Sequence, residues 1–81
     1  MKTNYEHMQF KQQIVSRLKT SVWECRGPGP GKLGEVKWYS PWRRYCFWPN
    51  FYKTTIFDAA CLSEIQAFIN QLMEMRKQGI P

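Results

Sequence analysis

Histidine is almost missing from this 81-residue chain, with His7 the sole example. Acids are also few, six against twelve lysines and arginines. Glu6, Glu24, Glu35, Asp58, Glu64 and Glu74 are scattered along the sequence, and none forms a paired-carboxylate motif. No Ser–His–Asp or Cys–His arrangement is supported by local spacing. These shortages leave no catalytic residues to nominate, and the chain is expected not to be an enzyme. His7 lies in a polar stretch and is expected to be a solvated surface residue rather than a base. The three cysteines, Cys25, Cys46 and Cys61, are an odd number at wide spacings. They lack the close pairing of zinc sites, so no metal or other cofactor is expected. Residues 1–20 are too polar for a signal h-region, which suits reduced thiols in a cytoplasm. Each cysteine is expected to act as a small buried apolar residue. No run approaches the ~18 apolar residues of a membrane span, and no membrane partner is expected.

What is present is aromatic and basic. Apolar residues make up 43% of the chain and aromatic ones 16%. A chain this short forms one domain, residues 1–81, near the lower limit for a single core. Large rings compensate, since each buries ~150–250 Å². The formal charge of +6 favours anionic partners through steering and counterion release.

The pattern predicts an α+β fold in the order α-β-β-β-α. Phe10, Ile14 and Leu18 fall at i, i+4 and i+8 among lysines and glutamines, which predicts an N-terminal helix over about 5–19, at the edge of the core. Asn4 is its N-cap candidate. The sheet occupies about 20–57 as an antiparallel meander of three strands, with a short fourth at 54–57 as a variant. The first strand is 20–25, β-branched and aromatic. Arg26 to Lys32 reads Arg-Gly-Pro-Gly-Pro-Gly-Lys, a hairpin loop. Its prolines lack amides to offer a phosphate, and its spacing is not that of nucleotide-binding loops. The second strand is 33–39 and the third 44–48, joined by a turn at Ser40-Pro41. Alternation places Val36, Trp38, Tyr45 and Phe47 on the core face and Lys37 and Arg44 outward. A C-terminal helix over about 59–78 covers one face of the sheet. Asp58 is its N-cap and Gly79 its C′ residue, and its stripe is Leu62, Ile65, Phe68, Ile69, Leu72 and Met73.

Between Lys37 and Phe51, seven of fifteen residues are aromatic and three are cationic. Rings stack on bases, and guanidinium groups pair with phosphates. The candidate ligand-binding residues are Lys37, Trp42, Arg43, Arg44, Tyr52 and Lys53. Trp42 has no core position in the alternation and is free either to stack or to lid the sheet end. Arg43 and Arg44 are expected to be exposed and to present forked donors. Tyr52 and Lys53 extend the patch if the following loop folds back.

The element order is similar to that of double-stranded-RNA-binding domains. Those domains grip phosphates with lysines at the start of the last helix. Here the matching stretch, Asp58 to Glu64, holds two acids and no base, which argues against duplex RNA. A second resemblance rests on Gly34-x-Val36-x-Trp38-Tyr39-x-Pro41-Trp42-Arg43-x-Tyr45-Cys46-Phe47, followed by Thr55-x-Phe57-x-x-x-Cys61-Leu62. Over about residues 20–75 the chain resembles small uncharacterised proteins of bacteriophages and prophages. The resemblance implies an accessory role in a bacterial host cytoplasm and adds no catalytic residue. Two functions stay open. One is binding of nucleic acid or a nucleotide through the aromatic-basic surface. The other is a protein–protein module directed at a host protein, with a homodimer through the outer sheet face as a variant.

Overall fold

Period-two alternation governs the strands of the computed structural model, which describes residues 1–15, 17–50 and 56–79. Four strands, β1 (Gln9–Gln13), β2 (Val22–Arg26), β3 (Lys32–Tyr39) and β4 (Arg44–Pro49), form one antiparallel sheet in the order β1-β2-β3-β4. One helix follows, α1 (Ala59–Lys77). The α+β class and the C-terminal helix hold. The order among the described residues is β-β-β-β-α.

The expected N-terminal helix is the main correction. Residues 9–13 pair with β2 from Gln9↔Arg26 to Gln13↔Val22, and Asn4 makes an isolated bridge to Gln9 rather than capping a helix. Met8 and Phe10, two residues apart, are 2% and 4% exposed, whereas Ile14, the middle of the supposed helical stripe, is 96% exposed. Glutamine and lysine favour helix locally, but propensity is a weak prior. Pairing along the edge of β2 and burial of two large side chains outweigh it. Leading into β1, residues 3–10 form a tight bend in which Tyr5 N–H donates to Met8 O (2.8 Å) and Phe10 N–H to Thr3 O (2.9 Å).

The register places Trp23, Cys25, Val36, Trp38, Tyr45 and Phe47 on one face of the sheet, through the pairs Trp23↔Val36, Val36↔Phe47 and Trp38↔Tyr45. Helix α1 lies on that face and buries Ile65, Phe68 and Leu72, residues spaced by three and four. The Phe10 and Phe68 rings stack at 4.0 Å with planes 3° apart, and Trp23 meets Phe68 edge-on at 5.1 Å. Such ring pairs add ~0.5–1.5 kcal/mol beyond the area they bury. The polar handles are satisfied inside this layer: Trp23 Nε1 donates to Ser21 Oγ (2.9 Å), and Ser21 N–H donates to the Tyr45 hydroxyl (3.2 Å).

Both helix ends match their sequence signals. Asp58 Oδ1 accepts from Cys61 N–H at 2.9 Å, and this bond holds the Asp58 carboxyl below its ordinary range. Gly79 has φ 82° and its N–H donates to Arg76 O at 2.9 Å, the left-handed stop that glycine adopts without strain. Leu62, expected in the stripe, is 53% exposed because it falls outside the arc facing the sheet.

Two smaller expectations also change. Cys25 is fully buried, and burial pushes its thiol up to about 12, but Cys46 and Cys61 are only partly covered. His7 is half-buried rather than solvated, because the bend before β1 sets its ring against Glu64 on α1. Thr54 and Thr55 of the variant fourth strand lie outside the described residues, and Ile56 and Phe57 belong to no strand.

Candidate ligand-binding face of the sheet

Alternation that sends Val36, Trp38, Tyr45 and Phe47 to the helix sends Glu35, Lys37, Tyr39, Arg44, Cys46 and Trp48 to the opposite face. The cross-strand pairs there are Glu35↔Trp48, Lys37↔Cys46 and Tyr39↔Arg44. Among the described residues no helix covers this face.

Three rings gather on it. Tyr39 packs edge-on against Trp48 at 5.5 Å and against Trp42 at 5.1 Å. Trp48 is fixed further by its indole N–H, which donates to Lys37 O at 3.3 Å. Trp42 ends a single 3-10 turn (Ser40–Trp42) that carries Pro41 at its start. The turn lifts Trp42 past the end of the strands, and the residue is 65% exposed.

Cations border the rings. The Lys37 ammonium sits 4.4 Å from the Trp48 ring centroid and 3.8 Å from Glu35 Oε1. Lys32 also reaches Glu35, at 3.5 Å. One carboxylate therefore serves two ammonium groups, which leaves a surplus positive charge beside Trp48. An open hollow of about 260 Å³ lies between Lys32, Glu35, Lys37, Trp48 and Asn50. Arg44 is exposed, and its Nε donates to Trp42 O at 3.3 Å. That bond ties the guanidinium to the backbone of the turn and leaves its terminal donors for another partner. Among the described residues no carboxylate lies within 4.0 Å of Arg43 or Arg44.

The six residues nominated from the sequence therefore separate. Lys37, Trp42 and Arg44 come together on the open face. Arg43 does not join them, because the chain turns through a left-handed residue there, with φ 53° and ψ 49°. It lines a cleft on the helix side of the sheet instead. Tyr52 and Lys53 lie outside the described residues. Tyr39 and Trp48 were missed as site residues. Their signal was the same period-two alternation that sent Lys37 and Arg44 outward, extended by one residue pair along each strand.

The arrangement offers flat apolar surfaces fixed in place, bordered by cations. It can hold a planar anionic ligand by stacking and by charge-assisted hydrogen bonds.

No family model matches the chain, and no solved structure matches it. The chain is similar to an "Uncharacterized 9.3 kDa protein" of Acholeplasma phage L2, with 46% identity over 74 residues. The match covers 90% of this chain and 92% of the phage protein. It extends beyond the span of about residues 20–75 that carries the sequence resemblance. With that identity over nearly the whole of both proteins, the chain belongs to the family of this small phage protein.

Proposed function

We propose that the protein is a non-catalytic phage accessory factor that binds single-stranded nucleic acid or a nucleotide on the open face of its sheet. It would act in the cytoplasm of a bacterial host. The observation that carries this reading is the Tyr39–Trp42–Trp48 ring cluster with Lys37 and Arg44 at its borders. Base stacking on an aromatic ring is worth ~1–3 kcal/mol, and each phosphate contact adds a salt-dependent increment. Two stacked bases and two phosphate contacts support micromolar affinity, ~8 kcal/mol. The pairing of Glu35 with Lys37 subtracts from this, so Arg44 carries more of the charge recognition.

Titration of a generic single-stranded oligonucleotide at low and physiological salt tests the reading. The wild type should bind at low salt and weaken steeply as salt rises. Lys37→Ala with Arg44→Ala should lower the slope of log affinity against log salt by about 1.4, at ~0.7 per lost contact. Absence of binding at low salt by a folded protein would contradict the proposal. It would favour the protein-partner reading, in which Trp42, two-thirds exposed, is an anchor for a host protein or a second copy.

A further inference from the structure

We infer that a second anion site, separate from the open sheet face, lies in the cleft between the end of β3 and the last turn of α1, and that it takes an oligophosphate group. The cleft has a volume of about 650 Å³ and is lined by Trp38, Arg43, Met73, Glu74, Arg76 and Lys77. Three cations converge there from two elements far apart in sequence, the β3–β4 turn and the C-terminal helical turn.

Electrostatics decide whether the convergence is more than solvated charge. Among the described residues two groups oppose the cations: the Glu74 carboxylate and the ~0.5 negative charge of the helix C-terminus. Together they offset half of the positive charge, so the cleft stays cationic. Glu74 also has another partner, since Gln78 Nε2 donates to its Oε1 at 3.3 Å. Among the described residues no ion pair joins Arg43, Arg76 or Lys77 to an acid.

Two geometric features point to a ligand. The Arg76 guanidinium is held 4.0 Å over the Trp38 ring. A guanidinium fixed against a ring face keeps its in-plane donors for a second partner, and little rotamer entropy is left to lose when that partner binds. Arg43 is the second feature. Among the described residues it alone adopts a positive φ without being glycine. Arg43 N–H closes the 3-10 turn on Ser40 O at 3.1 Å, and the left-handed conformation that follows redirects the chain from that turn into β4. Glycine would meet the need without strain, yet this position carries a long charged side chain into the cleft. Left-handed non-glycine residues cluster at ligand clamps.

The site does not depend on the sheet-face ligand, and one experiment separates them. Inorganic tripolyphosphate is titrated into the isotopically labelled full chain at low salt, followed by NMR. The indole N–H of Trp38 and the amides of Arg43, Arg76 and Lys77 should shift together and saturate, while the Trp48 indole stays in place. Arg43→Gly relieves the backbone and removes the side chain, so it should fold at least as well as the wild type and weaken binding about tenfold, the loss of one charge-assisted contact. Lys19→Ala, which removes an exposed cation outside both sites, should leave tripolyphosphate affinity unchanged. A nucleoside triphosphate binding as tightly as tripolyphosphate would identify the phosphate chain as the recognised part. Tighter binding with a larger Trp38 shift would identify a nucleotide as its source. Shifts spread evenly over all cations, equal losses in Arg43→Gly and Lys19→Ala, or no shift at millimolar tripolyphosphate would overturn the site.

Discussion

Glu64 of the helix holds the bend that opens the chain through His7: its Oε2 lies 2.6 Å from His7 Nδ1, while its Oε1 accepts the backbone N–H groups of His7 and Met8, each at 2.9 Å. This contact joins residues 57 apart in sequence and fixes the approach of β1 to the sheet. The hydrogen bond to Glu64 raises the His7 imidazole above its ordinary value of 6.5. Burial pushes the Glu64 carboxyl up, but the hydrogen bonds from His7 and Met8 outweigh it and leave the group below its ordinary 4.5.

The sign of the pH dependence follows from those directions. A raised imidazole contributes stability that is full below its unfolded value and lost as pH rises through its folded one. A depressed carboxyl contributes above its unfolded value and loses that contribution as pH falls through its folded one. Both are present between 4.5 and 6.5. Thermal melts of the wild type and Glu64→Gln across pH should therefore differ most in that window and converge on either side. A difference that stays constant from about pH 4 to 8 would show that the charge of the pair is irrelevant.

Phe10 and Ile14 distinguish the observed strand from the helix that residues 5–19 suggest. A helix would bury both on one stripe. Here Phe10 is 4% exposed and Ile14 is 96% exposed. Urea denaturation should show Phe10→Ala losing ~3–5 kcal/mol, enough to unfold much of a domain this small. Ile14→Ala should stay within about 0.5 kcal/mol of the wild type. Comparable losses at the two positions would restore the helical stripe.

Leu72 tests the packing of the C-terminal helix. The residue is 4% exposed and belongs to the cluster that contains Phe68, Trp23 and Val36. Leu72→Ala should cost ~2–5 kcal/mol by denaturant unfolding. A cost below about 0.5 kcal/mol would mean that the helix does not seat on the sheet as described.

These residues also show how far the sequence could be read. The C-terminal helix was legible because its cap, its three-and-four spacing and its terminal glycine agree with one another. β3 and β4 were legible because Val36, Trp38, Tyr45 and Phe47 alternate with polar residues. β1 was not. Its stretch Gln-Phe-Lys-Gln-Gln carries one core side chain and helix-favouring neighbours, and the decisive terms are distant: pairing with β2 and the stack on Phe68. The candidate face was half legible. Alternation gave Lys37 and Arg44, but the left-handed turn at Arg43 comes from backbone geometry that arginine does not announce.

Gly34 explains why a glycine stands inside a strand. A Cβ there would fall on the Trp48 carbonyl oxygen and 2.7 Å from a Phe47 ring atom. The clash involves backbone, so the β3–β4 ladder would have to shift. Gly34→Ala should lower stability by ~1–3 kcal/mol, the usual cost of overpacking, and should disturb the Trp48 indole signal. An alanine variant as stable as the wild type would contradict the close approach of β4 to β3 at this point.

The four tryptophans supply the most direct test of the sheet-face proposal, because two lie on each side. Trp23 and Trp38 belong to the helix side, and Trp42 and Trp48 to the open face. Indole N–H resonances are followed while a single-stranded oligonucleotide is added at low salt. Trp42 and Trp48 should shift and saturate, with Trp23, whose N–H is held by Ser21 at 2.9 Å, unmoved. Saturable binding that leaves both Trp42 and Trp48 unchanged would contradict the proposal.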